Sequence, residues 1–249
     1  MDAYTGFAAV YELFMDNIPY EEWARYIQKI LQEHGIENGL MLELGCGTGS
    51  LTRIMSAKGY DMIGIDNAAE MLAVALEQER EEPKNILYLL QDMCEFELYG
   101  TVKAVISICD CINYVTEPKD LLQVFCLVNN YLDTKGIFIF DMNTLYKYKE
   151  ILGATTIAEN REEGSFIWEN FYDEEERINE YDLSIFIPEG ELYRKYEEVH
   201  YQRAYTIEEI LELIEQSGLK LLNVYDAFTF EKPKVDSERV YFVVQENGK

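Results

Sequence analysis

The 249-residue chain is poor in basic residues: 21 Lys and Arg stand against 47 Asp and Glu, a formal net charge of −26. Nucleic-acid binding depends on Lys and Arg neutralising phosphates, so this shortage argues against DNA or RNA as a partner. Long apolar runs are also missing, and none approaches the roughly 18 residues that a membrane span needs. The opening MDAYTGFAAVYELF lacks the basic start and small-residue cleavage site of a secretory signal, which makes the cytoplasm the expected address. Of the five cysteines only Cys109 and Cys111 lie close together, as C-x-C. On a strand they share a face, but no second pair or nearby His completes a zinc site. The thiols are read as reduced and mostly buried, and no metal is expected.

What is present suffices for a full hydrophobic core, with 48% hydrophobic and 27% charged residues. From Glu21 to about Glu33, apolar Trp23, Tyr26, Ile27, Ile30 and Leu31 recur at helical spacing. LMLEL, DMIGID, ILYLLQDM, AVISICDCINYV and GIFIFDMN read as five strands. Helical stretches LTRIMSAKGY, AAEMLAVALEQER and LLQVFCLVNNYL fall between them. This alternation predicts a doubly wound, mostly parallel α/β sheet covered on both faces. It breaks near Tyr146. From Phe166 to about Tyr205, aromatic and acidic residues with turn signals at DEEE and PEGE predict antiparallel strands inserted into the α/β unit. TIEEILELIEQSG then resumes a helix, with Thr206 and Glu209 as a capping box, and KLLNVYDAFTF and ERVYFVVQE add two last strands. The expected division is a core of residues 1–145 and 206–249, with 146–205 as a small antiparallel β lid.

In LELGCGTGS, Gly45, Gly47 and Gly49 follow an apolar strand, with Glu43 just upstream. The spacing G-x-G-x-G departs from the G-x-G-x-x-G of dinucleotide sites, and no G-x-x-x-x-G-K-[ST] phosphate loop occurs. With Asp66 ending the second strand, Gln91-Asp92-Met93 after the third and Cys109-Asp110 ending the fourth, this ordered series resembles the class I S-adenosylmethionine-dependent methyltransferases. The resemblance is close over about Met41 to Met142. It implies a seven-stranded Rossmann-like sheet with an antiparallel last strand, and S-adenosylmethionine as cofactor. That cofactor is a sulfonium without phosphate, so the turn needs glycines for close backbone approach and tolerates a carboxylate beside it.

The resemblance also implies the site. Asp66 would accept from the ribose hydroxyls, although a carboxylate before AAEML also reads as a helix cap. Asp92 and the Met93 N–H would meet adenine, with Gln91, Asn67, Met71 and Cys109 around it; Met71 at helical spacing reads equally as core. Glu43 would meet turn N–H groups or the cofactor's ammonium. Tyr4 and Tyr11 of the leading segment would close over the cofactor. Methyl transfer from a sulfonium is an in-line displacement that relies on positioning, and a base is needed only for a protonated acceptor such as a hydroxyl.

Asp110, Asn113 and Asn143 at the carboxyl ends of the strands, with His200 from the insert, are the candidate catalytic residues, and Tyr114, Asp141, Trp168, Gln202 and Arg203 could join them. The N-P-P-Y motif of amide and adenine-amino methylation is absent, D110-C-I-N-Y standing in its place. Trp168, Tyr172, Tyr181, Tyr193 and Tyr196 among carboxylates suit a cationic acceptor, or simply pack the lid. The expected function is methyl transfer to a small molecule. The alternatives are a tRNA or protein methyltransferase, or a non-catalytic S-adenosylmethionine-binding protein.

Overall fold

The structure is a computed structural model that describes Phe14 and residues 18–249. Its first described helix, α1 (Tyr20–Glu33), is followed by β1 (Gly39–Leu44), α2 (Ser50–Ala57), β2 (Tyr60–Asp66), α3 (Ala69–Glu81), β3 (Leu87–Leu90), β4 (Val102–Ser107), α4 (Pro118–Tyr131) and β5 (Leu132–Asn143). After β6 (Thr156–Asn160), β7 (Ser165–Asp173), β8 (Ile178–Glu189) and β9 (Leu192–Arg203), the chain closes with α5 (Ile207–Gln216), β10 (Lys220–Asp226) and β11 (Arg239–Gln245). Seven strands form one sheet in the order β10-β11-β5-β4-β1-β2-β3. The four pairings that join β5, β4, β1, β2 and β3 are parallel, whereas β11 runs antiparallel to both β5 and β10. This is the doubly wound sheet expected from the alternation of elements, with the last strand reversed.

Period-two alternation distributes the strand side chains between two cores. Leu42, Leu44, Val105, Phe138, Phe140 and Phe242 point to the face covered by α4 and α5. Met41, Met62, Ala104, Ile106, Ile139 and Val243 point to the face covered by α1, α2 and α3. On the first face Phe140 stacks on Phe242, with ring centroids 4.9 Å apart and planes 7° from parallel. Pro118 occupies the first turn of α4, where a missing N–H is harmless. Pro83 follows the last turn of α3, which ends at Glu81. Among the described residues no helix is long and apolar enough to cross a membrane.

Two strands are shorter than the sequence suggests. β3 stops at Leu90 and β4 at Ser107, because Cys109 and Asp110 adopt left-handed φ of 70° and 53° and the chain turns into a 3₁₀ segment, Cys111–Tyr114. Cys109 and Cys111 therefore sit in a turn, and the reading of both on one face of a strand is corrected.

Between β5 and α5 lies a separate antiparallel sheet in the order β6-β7-β8-β9, preceded by a π-helical turn, Lys147–Leu152. The DEEE turn forms because the Asp173 carboxylate accepts the N–H groups of Glu175 and Glu176, an Asx turn. The PEGE turn uses Gly190 at φ 65°. The registers Trp168↔Leu183 and Tyr181↔His200 put these four side chains on one face, which looks onto the carboxyl edge of the main sheet. Asn113 anchors the two sheets. Its amide donates to the backbone oxygens of Asn143 and Arg203, at 3.2 and 2.8 Å, and accepts from Asn143 N.

The capping box at the start of α5 is complete: Glu209 N–H donates to Thr206 Oγ1 and Thr206 N–H donates to the Glu209 carboxylate. Thr206→Ala is expected to cost about 1 kcal/mol. Urea unfolding reads this as a lower midpoint with an unchanged slope; an unchanged midpoint would show the cap to be dispensable.

Candidate active site

The glycine turn is built by backbone conformation. Gly45, Gly47 and Gly49 all have positive φ, 73°, 54° and 81°, which L side chains adopt at a cost. The N–H groups of Gly45 and Cys46 donate to Ile65 O and fasten the turn to β2. A Cβ on Gly47 would meet nothing within 4 Å, so the turn is open there to a large cavity. A Cβ on Gly45 would lie 2.6 Å from Cys111 Sγ. Gly49 differs from the expectation: it does not line the cavity, but precedes α2 and makes room for Tyr88, whose Oη a Cβ there would overlap.

Carboxylates sit immediately below this turn. Asp66, at the end of β2, accepts from Gly47 N–H at 2.7 Å and from Ala68 N–H at 2.8 Å. It thus meets the turn and the start of α3 at once. Burial raises its pKa, opposed by those backbone N–H groups. Glu43 is buried and accepts from Thr52 Oγ1 at 2.5 Å. The expected bond from Glu43 to a turn N–H is not made, because Asp66 takes the Gly47 N–H. Burial pushes the Glu43 pKa up to about 8, helped by the nearby Asp66 charge and opposed by Thr52.

Beyond β3, Asp92 accepts from Cys94 N–H at 2.8 Å. The Gln91 side chain turns to the backbone of Glu97, so its amide is used locally although the residue borders the cavity. Asn67, Met71, Met93 and Cys109 line the cavity, and Met71 is at the same time almost fully buried. Tyr4 and Tyr11 lie outside the described residues. Phe14, nearest to them, packs edge-on against Phe166 of β7 at 5.0 Å and lines the cavity. Burial raises the Cys109 and Cys111 thiols, the former to about 12. Among the described residues no cluster of three or more His, Cys, Asp or Glu is arranged to hold a metal.

The far end of the cavity is organised by Arg239. Its guanidinium pairs with both Asp110 and Asp141, and Asp141 also accepts Asp110 N–H at 2.8 Å. Gln202 Nε2 donates to Asp110 at 2.7 Å, while Tyr148 and Tyr181 donate to Gln202 Oε1. His200 Nε2 lies 3.1 Å from Glu198 Oε2, both residues are buried, and the imidazole meets Tyr114 edge-on at 5.9 Å. Asp110, Asn143 and His200 line the cavity as the sequence suggested. Asn113 does not: it is fully buried with its amide committed to the backbone, so its place is that of a clamp.

Trp168 and Tyr181 line the cavity, whereas Tyr172 stacks on Tyr148 and Tyr193 is exposed. Sequence reasoning missed Arg239, Lys147 and Glu198. One signal for Arg239 was available: an antiparallel strand begins at the edge where its parallel neighbours end, and the register Arg239↔Asn143 puts it there.

The turn, the buried carboxylates and the ligand-edge cavity of about 860 Å³ together define a class I methyltransferase fold and site. The methyltransferase-domain family matches residues 41–136. YqeM of Bacillus subtilis (strain 168), which its name places among the methyltransferases, is 35% identical over 98% of this chain and 97% of its own. An S-adenosylmethionine-dependent methyltransferase from Clostridium acetobutylicum ATCC 824 is 28% identical, with a TM-score of 0.89 over 98% of this chain and 99% of its own. The sugar N-methyltransferase KedS8 from Streptoalloteichus sp ATCC 53650 shares the fold, with a TM-score of 0.79 at 16% identity over 96% of this chain and 93% of its own. This chain belongs to the S-adenosylmethionine-dependent methyltransferases.

Glu43 binds a proton more tightly folded than unfolded, so its ionisation costs stability. That cost is absent below its ordinary value of 4.5, grows as pH rises, and is complete above about 8. Glu43→Gln is therefore expected to gain stability relative to the parent across this window, by up to on the order of 1 kcal/mol per pH unit. Urea unfolding as a function of pH checks it, and parallel stability curves would count against a buried, protonated Glu43.

Proposed function

We propose that this methyltransferase acts on a small molecule enclosed between the two sheets. The observation that carries this reading is the cavity itself. At about 860 Å³ it falls in the upper part of the roughly 300–1,000 Å³ of small-ligand sites, with aromatic walls and a few polar groups. The acid excess supports it as well, since −26 charges oppose a polyanionic RNA. The likeness in fold to a sugar N-methyltransferase is in keeping with it.

The residues present fit S-adenosylmethionine. The open face of Gly47 admits backbone approach, and Asp66 keeps lone pairs free beside its two N–H partners for the ribose hydroxyls. Asp92 retains an oxygen for the adenine amino group, between Met71, Asn67 and Met93. Glu43 supplies negative charge for the ammonium end, where the cation would favour its ionised form. Gly45 draws Cys111 and the strand-four turn against the site.

Bound S-adenosylmethionine supplies a methyl group on a sulfonium, a leaving group that needs no proton. The protein's work is then to orient the acceptor and exclude water. The second sheet, residues 156–203, serves as a lid carried by the core, with Trp168, Tyr181 and Leu183 as its dry inner wall. His200, oriented by Glu198, takes a proton from the acceptor where the attacking group carries one. Asp110 is a positioning residue: Arg239 and Gln202 hold it, and through Gln202 it ties the lid to β4.

In calorimetric titration the protein should bind S-adenosylmethionine, and Asp66→Ala should lose ~1–3 kcal/mol, the scale of a hydrogen bond to a charged group. Supplied with a metabolite library, the protein should form S-adenosylhomocysteine, and His200→Gln should lower kcat with little change in cofactor affinity. Turnover with bulk tRNA or protein in place of metabolites would reject the small-molecule reading. Cofactor binding without turnover on either would identify a non-catalytic binder.

A further inference from the structure

Four carboxylates around the end of the cavity away from the glycine turn are already partnered. Asp110 and Asp141 share Arg239, Glu159 pairs with Arg161, and Glu198 stands beside His200 Nε2. Lys147 is the opposite case. Its half-buried side chain lines the same cavity just beyond β5 and makes one hydrogen bond, to the uncharged Asn143 Oδ1 at 3.1 Å. Among the described residues no carboxylate pairs with it, in a chain where 47 acids surround 21 Lys and Arg.

An ammonium carries three donors, so two remain for whatever fills the space. Burial and the adjacent Arg239 guanidinium both press on the charged form, Asp110, Glu238 and Asp141 at longer range favour it, and the balance holds its pKa below the ordinary lysine range. A counter-ion from outside the protein relieves both. A second donor is in a similar condition: Trp168 lines the cavity from β7, and its buried indole N–H has no acceptor among the described residues.

We infer that the methyl acceptor carries an oxyanion, a carboxylate or phosphate group, that docks on Lys147. This rests on the small-molecule reading and names the substrate class within it. A cationic acceptor placed beside Lys147 meets the reverse of what it needs, because Asp110, Asp141, Glu159 and Glu198 are engaged there and an ammonium without a carboxylate in hydrogen-bond contact faces it. The aromatic walls then take the acceptor's apolar body, and Trp168 and Tyr181 act as packing surfaces for that body.

The test uses the full chain saturated with S-adenosylhomocysteine, titrated calorimetrically with benzoate, phenyl phosphate and benzylamine, which share one ring and differ in their charged group. At least one oxyanion is expected to bind and benzylamine is not; the tighter of the two oxyanions tells carboxylate from phosphate. Lys147→Met is expected to weaken that oxyanion at least about tenfold. Lys147→Arg, which keeps the charge and cannot serve as a neutral amine, is expected to retain it within a few-fold. S-adenosylhomocysteine affinity in both variants reports an intact fold. Preferential binding of benzylamine, no binding of either oxyanion, or unchanged affinity in Lys147→Met would overturn the inference. The small-molecule reading fails by a different result, the absence of S-adenosylhomocysteine formation with metabolites of either charge.

Discussion

The paired interaction of Arg239 with Asp110 and Asp141 is the contact on which the far half of the site depends. It joins the first residue of β11 to the ends of β4 and β5, and through Gln202 it reaches the second sheet. Three charges are taken out of water together, which is tolerable only because each is hydrogen-bonded as well as paired. Asp141 accepts Asp110 N–H as well, so the left-handed turn after β4 is held by the same group. Removing one member leaves uncompensated buried charge, a larger loss than the pair's own net contribution. Burial raises the Asp141 pKa, and the Arg239 guanidinium and the Asp110 N–H oppose that rise.

At the other end the constraint is the close approach of two carboxylates to a turn of glycines. Asp66 gathers N–H groups from the turn and from the start of α3, while Glu43, deeper, has only Thr52. A site that bound phosphate would place positive groups here. Among the described residues, this one sets two carboxyl groups and no cation beneath open backbone, which suits a ligand whose reactive centre is a sulfonium. A cation bound nearby would favour the charged form of Glu43 that burial disfavours.

The two halves meet because the second sheet faces the carboxyl edge of the first, where α/β sheets bind ligands. Its inner face is apolar at Trp168 and Leu183 and polar at His200 and Gln202, so hydrogen-bonding groups and a packing wall share one surface. Asn113 and Tyr205 fix that surface to the core through bonds to backbone oxygens of Asn143, Arg203 and Val115. Positional catalysis asks for this kind of rigidity, since the acceptor must be held in line rather than activated strongly.

Much of this was legible in the order of residues. The alternation of apolar runs, the glycine turn, Asp66 and Asp92 at strand ends, the capping box at Thr206 and the turns at DEEE and PEGE are local signals. Each rests on backbone conformation or on partners a few residues away. What the sequence alone determined is accordingly the alternating sheet, with its reversed last strand and the class of cofactor implied by the family resemblance that the strand-end motifs carry. Tertiary structure decided the rest, because the deciding partners are far apart in the chain: Arg239 is 129 residues from Asp110, and Gln202 is 92. It turned Asn113 from a catalytic candidate into a clamp, gave Gly49 to Tyr88 rather than to the cavity, ended β4 before Cys109, and left Lys147 beside an amide instead of a carboxylate. Residue type shows which bonds a side chain is able to make; only the packed chain shows which of them are already made, and reactivity belongs to those that are left.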